Sequence, residues 1–181
     1  KRYPILLVRT PYTVAPYGTD KYKARLGPTF DYEKEGFIFA FQDVRGKNMS
    51  EGEFVNMRPH ISKKVGKNDV DESSDTYDSI DWMIKNLPAN NGKVGQWGIS
   101  YPGFYTSAGV IDSHPALKAA SPQAPIADWF RGDDMHRNGA CYVALAFSFF
   151  SGFGMPLPVP ADVYSVRGFG WGVPVAYQFF L

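Results

Sequence analysis

The sequence predicts an α/β fold, a mostly parallel sheet with flanking helices, on three observations. Short apolar runs recur at Ile5 to Arg9, Gly36 to Asp43, Val94 to Ile99 and Leu117 to Ser121, and read as buried strands. Helical patterns lie between them, at Pro28 to Lys34, near Ser74 to Asn86 and from Tyr101 to Ser113. Third, in Lys93-Val-Gly-Gln-Trp-Gly-Ile-Ser-Tyr-Pro-Gly-Phe104, a strand runs through a glycine-flanked serine straight into a helical pattern.

Each element has a local reason. Phe30 gives the first short helix an apolar contact ahead of the run Gly36 to Asp43. A charged, glycine-bearing loop from Arg45 to Asp69 precedes the second helix. Ser73 or Ser74 fits its N-terminal cap, Asp75 and Asp78 suit its first turns, and Pro88 fits its stop. Val94 and Trp97 alternate with smaller residues, and the third helix carries Phe104, Ala108 and Ile111 on one face.

The strand-serine-helix junction is the pattern of a nucleophile elbow. A serine hydroxyl attacks a carbonyl only when it is exposed on a sharp turn, near a base, with backbone N–H groups aimed at the developing oxyanion. Gly98 permits the tight turn before Ser100, and the helix N-terminus supplies the donors. The common elbow is G-x-S-x-G, whereas here Pro102 takes the last position and glycine follows at Gly103. The alternative is a strand-turn-helix that happens to carry a serine.

Four ordered segments extend the pattern. Tyr3-Pro-Ile-Leu-Leu-Val-Arg-Thr-Pro-Tyr12 ends in R-T-P-Y, and Gln42-Asp-Val-Arg-Gly46 is followed by Ser50-Glu-Gly-Glu53. Asp75 through Trp82 and Asn91-Gly-Lys-Val-Gly95 lead into Gly98-Ile-Ser-Tyr-Pro-Gly103. Together they resemble the X-Pro dipeptidyl-peptidase family, which also contains cocaine esterase, the α-amino acid ester hydrolases and glutaryl-7-aminocephalosporanic acid acylases. The resemblance implies an α/β-hydrolase fold with a mainly helical cap inserted over the active site.

It also implies roles. The tyrosine of R-T-P-Y lends its phenol to the oxyanion hole beside the N–H of the residue after the serine, here Tyr12 and Tyr101. Without the resemblance, Tyr12 reads as an ordinary turn tyrosine after Pro11. Trp129-Phe-Arg-Gly-Asp-Asp-Met-His-Arg-Asn-Gly-Ala140 resembles the G-D-D…H-N-G-A segment of the amino acid ester hydrolases, where a carboxylate helps hold the substrate's α-ammonium group. Asp134 is the better match, with Asp133 beside it; the alternative is a solvated acidic turn opening a helix.

The implied triad order is serine, acid, histidine. His114 precedes Pro115 at the end of the helix after the serine, His60 lies before the serine and His136 lies inside the G-D-D segment. None fits a general base. The chain opens on Lys1 directly before a strand and stops in the apolar run Ala176 to Leu181. The expectation is an interior portion of a larger enzyme, with acid and base outside it.

Composition bounds the rest. A length of 181 residues, with 44% hydrophobic and 20% charged, suits a globular domain with a real core. A net charge of +1 gives no reason to expect nucleic acid, and no apolar segment has membrane length. The basic cluster Ser62 to Lys67 reads as a solvated loop. Cys141 is the single cysteine, so no internal disulfide forms, and Cys/His metal spacing is missing. No cofactor is expected.

Composition shifts after Ala127, so residues 1–127 read as hydrolase core and 128–181 as the start of the cap. Aromatic, glycine and proline residues crowd Phe147 to Phe153, Met155 to Pro160 and Phe169 to Gly172, as acyl-pocket lining or as packing between cap and core. The expected chemistry is acyl transfer to water through an acyl-enzyme from a small ester, amide or amino-acid-derived substrate, with the resemblance implying an α-amino acid ester hydrolase or a cephalosporin-acylase-like enzyme. An X-Pro dipeptidyl-peptidase, a simple carboxylesterase and a catalytically silent binding domain are the alternatives. A periplasmic or secreted location follows only from the resemblance, and a homo-oligomer is left open.

Overall fold

The computed structural model describes residues 1–153, 170, 172–173 and 176–179. Among these, four parallel strands form one sheet: β1 (Tyr3–Thr10), β2 (Ile38–Asp43), β3 (Asn90–Ile99) and β4 (Leu117–Gln123), in the order β2-β1-β3-β4. Helices α1 (Phe30–Glu35), α2 (Glu72–Asn86) and α3 (Tyr101–Gly109) connect them. A short hairpin of β5 (His136–Arg137) and β6 (Ala140–Cys141) precedes α4 (Val143–Phe153), and α5 spans Ala176–Phe179. The aromatic and proline run from Met155 to Pro160, with Phe169 and Trp171, lies outside the described residues. No helix among the described residues is long and apolar enough to cross a membrane.

The strand periodicity is read out directly in the core. Ile5 and Leu7 of β1 join Val94 of β3 against Ile80 and Met83 of α2, with Ala116 closing the cluster. Arg9 extends the same inward row and is 1% exposed, where alternation alone calls for an apolar side chain. Its charge is met by Glu72 Oε2 at 3.3 Å, and it donates to Thr76 Oγ1 at 2.7 Å and Gln42 Oε1 at 2.8 Å. Asp75, near Arg9 at 4.0 Å, binds Arg45 through both carboxylate oxygens at 2.5 and 2.9 Å. These pairs satisfy charges whose burial is otherwise costly.

Several boundaries differ from expectation. Helix α2 is capped by Asp71, not by Ser73 or Ser74: Asp71 Oδ1 accepts the Ser74 N–H at 2.9 Å, and Ser74 Oγ accepts the Asp71 N–H at 2.9 Å. This reciprocal box puts the serine at the third helical position. Lys64, from the basic cluster, pairs with Asp71 at 2.8 Å and so is not merely solvated. Helix α3 ends at Gly109 rather than Ser113. Strand β4 runs to Gln123 rather than ending at Ser121; among the described residues it lies at the edge of the sheet, exposed from Lys118 onward, which is where Pro122 is tolerated.

Candidate active site

Ser100 sits between β3 and α3 with φ 62° and ψ −120°, backbone angles that a non-glycine residue rarely adopts. The surroundings hold it there. The Ser100 N–H donates to the Gln123 carbonyl of β4 at 2.9 Å, and the Ser100 carbonyl accepts the Phe104 N–H at 3.0 Å to open α3. The side chain is exposed.

The two glycines explain how Pro102 is accommodated. A Cβ on Gly98 would lie 2.3 Å from the Pro102 carbonyl oxygen, and one on Gly103 would lie 2.5 Å from the Gln123 oxygen. The close helix-to-strand approach is therefore made one residue later than in the common elbow, at Gly103.

Tyr101 is the first residue of α3 and is buried. Its phenol donates to Asn56 Oδ1 at 2.8 Å and accepts the Met57 N–H at 2.9 Å. Its ring stacks on Tyr105, 5.1 Å between centroids. Burial pushes the Tyr101 phenol up to about 12, so it stays protonated at neutral pH. Tyr105 is held further above the ordinary tyrosine value, first by burial and then by its proximity to Tyr101.

Tyr12 follows β1. Its N–H donates to Thr10 Oγ1 at 3.2 Å and its carbonyl accepts from Asn48 Nδ2 at 2.9 Å. Tyr12, Ser100, Tyr101 and Asp134 line a common cavity of about 40 Å³ with Asn56, Met57, Ile126, Trp129, Met135, Phe149 and Phe150. Of the aromatic residues after Ala127, Trp129, Phe149 and Phe150 border this cavity, and Phe149 and Phe150 also pack against the buried cluster that holds Tyr101 and Tyr105.

Asp133 is turned elsewhere. Its Oδ1 accepts the Met135 N–H at 3.1 Å, and it borders a second cavity of about 640 Å³ with Asp134, Arg137 and Cys141. The segment is a hairpin and not an acidic turn opening a helix: Asn138 and Gly139 have φ 49° and 83°, and His136 pairs with Cys141. The Asn-Gly dipeptide was the available signal for that turn. Asn56 and Met57, whose groups fix the Tyr101 phenol, had no sequence signal.

The histidines stand apart from the Ser100 cavity. His114 Nδ1 accepts the Ala116 N–H at 3.0 Å, and its ring meets Tyr77 at 4.6 Å. His60 contacts Asp71 at 3.0 Å, and His136 stacks on Phe130 at 6.4 Å. Among the described residues no group of three or more His, Cys, Asp or Glu is arranged to hold a metal ion.

The family model for X-Pro dipeptidyl-peptidase (S15 family) matches residues 1–155. The chain belongs to this family. Cocaine esterase of Rhodococcus sp. (strain MB1 Bresler) is 30% identical over 140 residues, covering 77% of this chain and 22% of the esterase. An aminopeptidase crystal structure from the marine sediment archaeon Thaumarchaeota archaeon matches with a TM-score of 0.71 and 31% identity, covering 93% of this chain and 28% of that one. An α-amino acid ester hydrolase structure matches with a TM-score of 0.70 and 38% identity, covering 84% and 25%. The fold is the α/β-hydrolase fold of these relatives, and the chain spans between 22% and 28% of their lengths.

Proposed function

We propose that this chain carries the nucleophile and oxyanion half of a serine hydrolase that cleaves ester or amide bonds through an acyl-enzyme. The observation that carries the proposal is the convergence of Ser100, Tyr12, Tyr101 and Asp134 on one cavity. Ser100 Oγ attacks the carbonyl carbon, its proton passing to a general base, and the Tyr101 N–H and Tyr12 hydroxyl stabilise the oxyanion of the tetrahedral intermediate. Collapse expels the alcohol or amine with a proton, and water then releases the acid. The base and its acid partner are assigned to polypeptide outside residues 1–181.

Asp134 is proposed to bind the α-ammonium group of the substrate, favouring amino acid esters and amides or β-lactams with such a side chain. Asp134 is an exposed residue among those lining the serine cavity, which supports this, since a carboxylate binds a cation at short range. Two of the relatives are named as an aminopeptidase and an α-amino acid ester hydrolase. The likeness to cocaine esterase supports a second reading, a carboxylesterase indifferent to the amino group.

A substrate panel on the full-length protein separates them. Esters with a free α-amino group should be cleaved with at least about tenfold higher kcat/KM than their des-amino analogues, and Asp134→Asn should erase that ratio mainly through KM. Equal rates on both substrate types favour the carboxylesterase. Activity surviving in Ser100→Ala removes the serine mechanism altogether.

A further inference from the structure

We infer that Asp43 is a positioning residue for the oxyanion tyrosine, tying the loop that carries Tyr12 to the loop that follows β2. The inference rests on the assignment of Tyr12 proposed above. Asp43 ends β2 and is 4% exposed, yet among the described residues no lysine or arginine pairs with it. A buried carboxylate must then be satisfied by neutral donors, and here these come from both loops.

From the Tyr12 loop, the Val14 N–H donates to Oδ1 at 3.1 Å and the Tyr17 hydroxyl donates to Oδ2. Burial, and then the neighbouring Asp43 carboxylate, push the Tyr17 phenol up to about 12, which keeps that donor protonated. From the loop after β2, Asn48 Nδ2 donates to Oδ1 at 3.1 Å, and the Met49 N–H lies 3.5 Å from Oδ2. The same Asn48 nitrogen donates to the Tyr12 carbonyl at 2.9 Å. Asp43 therefore ties the chain at Tyr12 twice: through Asn48 at the Tyr12 carbonyl, and through Val14 and Tyr17 just beyond it.

Asn48 records what this arrangement costs. It is 1% exposed, has φ 49°, and among the described residues its Oδ1 has no hydrogen-bond partner. Both partners of Nδ2 are pure acceptors, so the amide cannot be flipped to satisfy that oxygen. A strained residue with an orphaned buried acceptor persists where surrounding contacts over-determine it. An oxyanion donor needs such restraint, because misplacement on the order of 1 Å costs about a hundredfold in rate.

A double-mutant cycle on the full-length protein tests this, with p-nitrophenyl acetate as the probe. Asp43→Asn keeps the shape of the side chain but faces the Tyr17 hydroxyl or Asn48 Nδ2 with a donor. It should lower kcat about tenfold with KM within about twofold, and should have less than about a twofold effect in a Tyr12→Phe background. An unchanged kcat, or the same fold-loss in both backgrounds, overturns the inference by making Asp43 merely structural. If Asp43→Asn does not fold, Tyr17→Phe in the same cycle should lose about threefold alone and nothing beside Tyr12→Phe; equal losses again overturn it. Tyr12→Phe as fast as wild type overturns both this inference and the oxyanion assignment beneath it.

Discussion

Tyr12 and Tyr101 meet edge to face on the wall of the Ser100 cavity, their ring centroids 6.2 Å apart and their planes at 81°. One residue is assigned a phenol donor and the other a backbone donor, so their side chains have separable duties. The Tyr101 hydroxyl is engaged with Asn56 and Met57, and Met57 itself has φ 46°.

Tyr101→Phe should therefore act on stability. It strands a buried N–H and an amide oxygen, at a cost of about 1–3 kcal/mol, while leaving the backbone donor in place. Tyr12→Phe should act on chemistry, lowering kcat about a hundredfold with a smaller change in Tm. Thermal unfolding and steady-state kinetics on the two variants check this; the opposite pattern would exchange their roles.

Gly103→Ala should dismantle the elbow. The added Cβ would meet the Gln123 carbonyl oxygen at 2.5 Å, and that same oxygen accepts the Ser100 N–H. Either β4 withdraws and breaks the Ser100 bond or α3 shifts. A cost of about 1–3 kcal/mol is expected from overpacking, with a greater proportional loss of activity. A variant with wild-type Tm and kcat would show that the approach is not tight.

Asp71→Asn should reveal a pH-dependent cap. Burial pushes the Asp71 carboxyl up, but Lys64, the N–H groups of Ile61 and Ser74, and the Ser73 hydroxyl outweigh it and hold the group well below the usual carboxylate range. The unfolded chain, titrating near about 3.9, then binds more protons than the folded one over the interval between. The stabilisation is fully present above the unfolded value and is lost as pH falls through the folded one. The Tm gap between wild type and Asp71→Asn should be wide at pH 7 and narrow steadily below about pH 4. Glu72, raised by burial, contributes with the opposite sign, but it is present in both proteins and cancels in the difference. A gap constant down to pH 3 would contradict the account.

Legibility in the sequence followed the range of the interaction. The elbow was readable because strand, glycine, serine and helix are contiguous, and the sheet because Ile5 to Arg9 and Val94 to Ile99 stand out as short apolar runs between helical patterns. The Asp71 cap was misassigned to its serine neighbours because the box here runs aspartate to serine, the reverse of the usual chemistry. The start of β3 at Asn90 has no local signal, because Asn90 to Lys93 carry no apolar period; its place is set by the pairing of Asn90 with Tyr3 of β1. Arg9 meeting Glu72, and Tyr101 meeting Asn56, join residues 63 and 45 positions apart, and no local pattern encodes such meetings.

The measurement that bears most directly on the central claim is fluorophosphonate labelling of the full-length protein, with the modified peptide mapped by mass spectrometry. The account predicts one covalent adduct on Ser100 and none in Ser100→Ala. A wild-type protein that takes no adduct, or one labelled at another residue, would contradict it.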